Sequence, residues 1–356
     1  MRRVLVVRTD NAGDVLLAGP AVRAVARAAE VTLLVSPGGA EAAGLLPGVA
    51  EVLVHPAPWS GDAAPAATGD AAAALVADVH ARGFDAGVVL TSFHQSPLPV
   101  ALLLRLAGVP HLTAASTDHP GSLLDVRLRP PEPGDPRHEV ERQLATVAAA
   151  GFPAVPGDDR LAVRRPLPWP DLPELNATHP ATAGTARAEL NSVHLGAGRG
   201  GGYVVVHPGA SVPARALAPD HAEAIVKALQ ARGRRVVVTG GPAEAGVTAE
   251  IAAATGAFDL GGRLSLAELA AVLERAACFV GGNSGPAHLA AAVGTPVVSL
   301  FSPVVPAAWW RPWGVPTLLL GDQDAPCRDT RARACPVQGH PCLSGVPADE
   351  VAEACA

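Results

Sequence analysis

The sequence predicts an α/β chain built as two doubly wound, parallel-sheet domains. Short strands that are apolar throughout alternate with helical segments, the signature of a parallel sheet covered on both faces. The alternation starts afresh near residue 203, after a stretch dense in Pro and Gly. At 356 residues the chain is long enough for two domains that each bury a core. Aromatic residues make up only 3%, so Ala, Val and Leu must fill those cores.

In the first half, a strand at Arg3–Val7 runs into a short polar loop and a helical stretch, GDVLLAGPAVRAVARAA. Strands follow at Val31–Ser36, Val52–His55 and Ala86–Leu90. The second half opens with YVVVHP at Tyr203–Pro208, a helix near Pro219–Arg232 and a strand at Arg234–Gly240. After a helix near Ala243–Thr255, DLGGRLSLAELAAVLERAACFVGGNSG gives a short strand, a helix and another strand. The helix PAHLAAAVG and the strand PVVSLFS come next. The expected division is an N-terminal domain at 1–165, a linker at 166–202 with a short helix near Ala181–Asn191, and a C-terminal domain at 203–345. A last helix at 346–356 is expected to pack back on the first domain. Two such domains facing each other form a cleft lined by the carboxyl ends of both sheets, where ligands bind in open α/β folds.

Composition narrows the function. Hydrophobic residues are 49% and charged ones 17%, with a net charge of -6, which argues against disorder and against a nucleic-acid partner. The apolar run in MRRVLVVRTD is ended by Arg8 and Asp10, too early for a signal peptide. The stretch Leu98–Val109 contains Arg105 and is too short to span a bilayer. Five cysteines in a chain of this size do not suggest a disulfide framework. A cytoplasmic location is expected, with no transmembrane segment and with peripheral membrane contact left open. Lys227 is the sole lysine, and with the abundance of Ala, Gly and Pro this fits the coding bias of a high-GC bacterium.

Several motifs fail on context. GAGRGG at Gly196–Gly201 precedes a strand, whereas a dinucleotide fingerprint follows one and opens a helix. No GxxxxGK[ST], HExxH or paired CxxC occurs. Cys327, Cys335, His340 and Cys342 are spaced irregularly for a structural zinc site, and packing is the favoured account, so no metal is expected.

Four segments carry chemistry. In VGGNSGPAHLAAAVG, a strand ends in Gly281-Gly282, and Asn283-Ser284-Gly285 opens a helix with Pro286 in its first turn. A helix N-terminus is an anion site, with His288 near it; alternatively Ser284 merely caps the helix. In VVVHPGASVPARALAPDH, Gly209 and Ser211 offer backbone and hydroxyl donors after a strand. Arg215 in the same loop is a forked phosphate ligand or a solvated charge. After VVVTGG, Glu244 accepts from ribose hydroxyls or simply favours the helix dipole. In VVRTDNAGDVLLAGP, Asp14 opens the first helix, where a carboxylate serves as a general base or as a cap without chemistry. Asp10 is its rival in the same loop.

These segments, in this order, resemble glycosyltransferase family 9, the ADP-heptose:lipopolysaccharide heptosyltransferase family. The pieces that carry the resemblance are RTDNAGDVLLAGPAVRAV, HPGASVPARALAPDHAEAI, VVVTGGPAEA, LGGRLSLAELAAVLERA, GGNSGPAHLAAAVGTPVVSLFSP and CRDTRARACPVQGHPCL. The resemblance implies a GT-B architecture of two Rossmann-like domains and an inverting transfer without metal or other cofactor. It also implies an ADP-activated heptose as donor and a hydroxyl of a glycan or small molecule as acceptor. By position, Asp14 aligns with the family's base, and Asp10 and Asn11 fall on the acceptor side. Ser284, Gly285 and His288 align with diphosphate contacts and Glu244 with the ribose contact. Arg215 stands where many members carry a lysine, and Asn283 where an aspartate is usual. The competing expectations are a nucleotide-sugar epimerase or hydrolase of similar fold, and a nucleotide-sugar-binding protein without catalysis.

Overall fold

The computed structural model describes residues 2–60, 64–92, 95–130, 135–172 and 202–355. The chain divides into two compact units, Met1–Arg164 and Arg165–Ala356. Most of the expected linker, including its short helix and GAGRGG, lies outside the described residues.

The first unit holds a six-stranded parallel sheet of β1 (Arg3–Val7), β2 (Glu30–Val35), β3 (Val49–Val54), β4 (Ala86–Val89), β5 (Leu112–Ala115) and β6 (Val126–Leu128). Their spatial order is β3-β2-β1-β4-β5-β6. The second unit repeats the plan with β7 (Val204–His207), β8 (Val236–Val238), β9 (Phe258–Asp259), β10 (Cys278–Gly282), β11 (Val297–Leu300) and β12 (Thr317–Leu320), in the order β12-β11-β10-β7-β8-β9. In each sheet the chain winds outward from its first strand, then returns to lay the fourth strand on the other side. The two neighbouring strands, β1 and β4 or β7 and β10, therefore send their connections to opposite faces. A crevice opens at their carboxyl ends, the usual ligand position in such sheets.

The central strands are apolar without alternation because helices cover both faces. Val4, Leu5, Val6 and Val7 of β1 are buried, as are Val204, Val205 and Val206 of β7. The stretch expected as one helix after β1 is two, α1 (Ala12–Leu17) and α2 (Gly19–Ala26). Pro20 explains the break, since it lacks a backbone donor and belongs in a first turn. The remaining helices of the first unit are α3 (Ala40–Leu45), α4 (Gly69–Arg82), α5 (Leu98–Leu106) and α6 (Glu139–Ala149). The stretch considered as a membrane segment is thus α5, and no helix among the described residues is long and apolar enough to cross a membrane.

In the second unit, α7 (Pro219–Ala231), α8 (Ala245–Thr255), α9 (Leu266–Glu274) and α10 (Gly285–Val293) flank the sheet, followed by the short α11 (Ala307–Trp310) and α12 (Pro341–Ser344). The terminal helix α13 (Ala348–Ala354) packs on α7 of its own unit, whereas the sequence suggested packing on the first domain. Its apolar face decides this: Val351, Ala352 and Ala354 are buried in the second unit's core, and the Cys355 thiol lies 3.0 Å from that of Cys278 on β10.

Candidate active site

At the crevice of the first unit, β1 delivers Arg8, Thr9 and Asp10, and β4 leads to Ser92. Arg8 is fully buried. Its Nη1 donates to Glu139 Oε1 at 2.8 Å, and its Nη2 to Asp14 Oδ1 and to Ser92 Oγ, both at 3.0 Å. Its Nε lies 2.9 Å from Asp10 Oδ2. One guanidinium thus serves three carboxylates. Burial alone would depress the Arg8 pKa, but the charges of Asp10, Glu139 and Asp14 more than reverse that and hold it charged.

Asp10 and Asp14 now separate. Asp10 is buried, and its second oxygen accepts from Ser60 Oγ and Gln95 Nε2. Asp10 thus has Oδ1 bonded within the fold and Oδ2 in the ion pair with Arg8. Asp14 sits in the first turn of α1 with its side chain 22% exposed, and among the described residues only its Oδ1 is engaged. Burial, then the charge of Asp10, push the Asp14 carboxyl up to about 7 against the pull of Arg8. A partly exposed carboxyl that titrates near neutrality suits proton abstraction from a hydroxyl. Asn11 precedes α1, exposed, with no side-chain cap bond.

The crevice of the second unit lies at the ends of β7 and β10. Gly282 closes β10 against the turn Pro213–Arg215: a Cβ at 282 would overlap the Arg215 carbonyl oxygen. This close approach seats Arg215, half-buried, beside the segment that opens α10. Ser284 is the residue before α10, yet its hydroxyl makes no capping bond. Ser284 Oγ is buried without a hydrogen-bond partner among the described residues. The capping account of Ser284 therefore fails, and a donor stands at a helix N-terminus with its backbone N–H groups. Gly285 is the first residue of α10, and His288 is buried in its first turns. Asn283 is buried and faces the next loop instead of the helix: its Nδ2 donates to the Ser302 carbonyl at 3.4 Å and its Oδ1 accepts from Ser302 N at 3.2 Å.

On the other flank of β7, Glu244 follows β8. Its Oε2 accepts from Gly241 N at 2.7 Å and lies 3.6 Å from Nε2 of buried His207. Burial keeps the His207 pKa below its ordinary value despite Glu244. The Glu244 carboxylate lies against Gly209, where a Cβ would overlap it. An acidic side chain after the second strand of such a sheet is where nucleotide-binding folds hold ribose hydroxyls. Ser211, in the loop after β7, is exposed. The structure thus groups Gly209, Arg215, Glu244, Asn283, Ser284, Gly285 and His288 around the end of β7 and its neighbours. Among the described residues no set of three or more His, Cys, Asp or Glu side chains is arranged to hold a metal ion. In the tail, His340 turns its Nε2 to the Ala214 carbonyl and Cys335 its thiol to that of Val337.

Residues 73–340 match the family model described as "Glycosyltransferase family 9 (heptosyltransferase)". The chain belongs to glycosyltransferase family 9. It is 36% identical over 162 residues to lipopolysaccharide heptosyltransferase 3 of Escherichia coli, a match covering 43% of this chain. That match spans 46% of the length of the E. coli protein. Two solved structures share the fold over nearly the whole chain. A family 9 glycosyl transferase from Veillonella parvula superposes with a TM-score of 0.74 at 16% identity, covering 99% of this chain and 96% of its own. The E. coli ADP-heptose lipopolysaccharide heptosyltransferase II superposes with a TM-score of 0.68 at 19% identity, covering 99% and 97%. The GT-B fold expected of family 9 is therefore the fold present.

Sequence reasoning missed Arg8, Ser92 and Glu139. Arg8 had served only to mark the end of an apolar run. A signal was available: a charge directly continuing a fully apolar central strand, followed closely by Asp10 and Asp14, has to be buried and paired.

Proposed function

We propose that this family 9 protein transfers heptose from an ADP-heptose donor to a hydroxyl of a glycan or small-molecule acceptor, with inversion. The observation that carries the reading is the Ser284 hydroxyl, without a hydrogen-bond partner among the described residues, at the start of α10 beside the Arg215 turn. In the reaction, Asp14 takes the acceptor hydroxyl's proton as its oxygen attacks the anomeric carbon from the face opposite the diphosphate. The bond from that carbon to the diphosphate oxygen breaks, and ADP leaves with the electron pair. Ser284, the N–H groups opening α10 and Arg215 meet the charge gathering on the leaving group. Glu244 binds the Gly241 amide through Oε2, which leaves Oε1 to accept from the ribose hydroxyls. This division of labour needs no metal ion, so activity is expected to survive a chelator.

The family description supports a heptosyl donor, and the named activity of the E. coli fold relative supports ADP as its carrier. Thermal-shift titration with ADP, ADP-heptose, UDP-glucose and GDP-mannose tests the donor site without knowledge of the acceptor. Stabilisation by ADP and ADP-heptose alone is expected; preference for UDP- or GDP-sugars would overturn the donor assignment. ADP release over a panel of deacylated lipopolysaccharides and small polyols then tests transfer. Asp14→Ala is expected to abolish acceptor-dependent release while leaving ADP-heptose affinity intact.

A further inference from the structure

We propose that Glu139, acting through Arg8, is a positioning residue that orients the Asp14 carboxylate and sets its basicity. This rests on the reading of Asp14 as the base. Glu139 is the first residue of α6, 125 positions beyond Asp14 in the chain, and nothing in its local sequence, HEVERQ, ties it to the loop after β1.

Geometry makes the connection rigid. The start of α6 is pinned by a reciprocal cap: His138 Nδ1 accepts from Val140 N at 3.1 Å, and Glu141 Oε2 accepts from His138 N at 2.7 Å. Glu139 is 1% exposed, and Gln143 Nε2 donates at 3.0 Å to the same Oε1 that receives Arg8 Nη1. A guanidinium is planar, so fixing one Nη–H fixes the direction of the others. With Nη1 held by Glu139 and Nε beside Asp10, Nη2 is aimed at Asp14 Oδ1 and Ser92 Oγ. Asp14 Oδ2 has no hydrogen-bond partner among the described residues, and the side chain is 22% exposed.

Charge completes the connection. Asp10, Asp14 and Glu139 surround one guanidinium, so the cluster carries more negative than positive charge. Burial first, then the like charge of Asp10, disfavour ionisation of Asp14, and Glu139 adds to them against the pull of Arg8. Among the described residues, Arg142 is a second cation acting on Glu139, and the other charged groups on the packed elements are engaged elsewhere or exposed. Glu41 on α3 is exposed, Arg23 on α2 is bonded to Asp158, and Arg142, one turn along α6, faces Glu139 and Asp135. Buried ion clusters are costly compared with apolar packing, and one placed beside a reacting group is better explained by tuning than by stability.

The test is carboxyl titration by NMR on the whole chain labelled with ¹³C at aspartate Cγ, with the Asp14 signal assigned by its loss in Asp14→Asn. The parent midpoint is expected near 7. Glu139→Gln keeps an acceptor for Arg8 and removes one negative charge, so the midpoint should fall by roughly one pH unit. A midpoint unchanged in Glu139→Gln overturns the proposal. So does a parent midpoint in the ordinary range of about 4, a result that decides the matter even if Glu139→Gln does not fold. The base reading itself is judged separately by turnover: an active Asp14→Asn defeats it, whereas an inactive Asp14→Asn with an unmoved Glu139→Gln midpoint defeats the positioning role alone.

Discussion

Replacing Arg8 with Met removes the buried cation shared by Asp10, Asp14 and Glu139. The substitution keeps much of the volume but leaves Asp10, Asp14 and Glu139 around a site with no cation, and removes the Ser92 contact. Removing one partner from a buried ion pair costs about 3–5 kcal/mol. For a unit the size of Met1–Arg164, each kcal/mol moves the melting temperature by roughly 2–4 °C, so the drop at pH 8 should be roughly 6–20 °C. The cost depends on pH in a defined direction. Without Arg8, the clustered carboxyls bind protons more tightly in the folded unit than in the unfolded chain, where they titrate at about 4. Stability is therefore lost as pH rises from about 4 through neutrality, and the deficit at pH 5 should be smaller than at pH 8. Arg8→Lys should recover only part of the loss, because a point charge cannot reach three carboxylates as a planar fork does. Thermal melts of parent and variants across this pH range give the answer. A deficit that is small at pH 8, or equal at pH 5 and pH 8, would refute the account of Arg8 as the hub.

The second unit supports further expectations. Ser284→Ala and Arg215→Ala should each lower kcat by about 10²–10³, as loss of one electrostatic donor to a developing charge typically does; tenfold or less in ADP-release kinetics would remove that residue from the leaving-group site. Gly282→Ala should weaken ADP binding in a thermal-shift titration because the Arg215 turn must move, whereas Gly246→Ala, with nothing within 4 Å of the added carbon, should bind ADP normally. Asn283→Ala removes both bonds to Ser302 and should cost about 1–3 kcal/mol in a melt, with donor affinity falling as the loop after β11 loosens. Parent kcat should decline as pH falls through about 7, since Asp14 takes a proton there, and Asp14→Ala should lose the titrating component.

Much of the fold was legible because its central strands are written as unbroken apolar runs, such as VLVV in β1 and CFVGG in β10. The strands that escaped notice, β5, β6 and β12, lie toward one side of each sheet and are short. LTAA and VRL carry too little periodicity to stand out from neighbouring loops. Site residues divided along similar lines. Ser284, Arg215 and Glu244 are recognisable locally, because each follows a strand end or opens a helix. That Ser284 makes no cap and that Glu244 lies against Gly209 is visible only in three dimensions. Arg8 and Glu139 are joined solely by topology, which brings α6 over the end of β1. No local pattern reports a contact across 131 positions.

The same strand order occurs in both sheets, yet the two crevices are furnished differently. One holds three carboxylates around a buried guanidinium; the other sets a hydroxyl and a helix N-terminus near Arg215, with Glu244 on the far flank. Among the described residues each set is held by contacts within its own unit, so a substitution in one crevice leaves the contacts of the other in place.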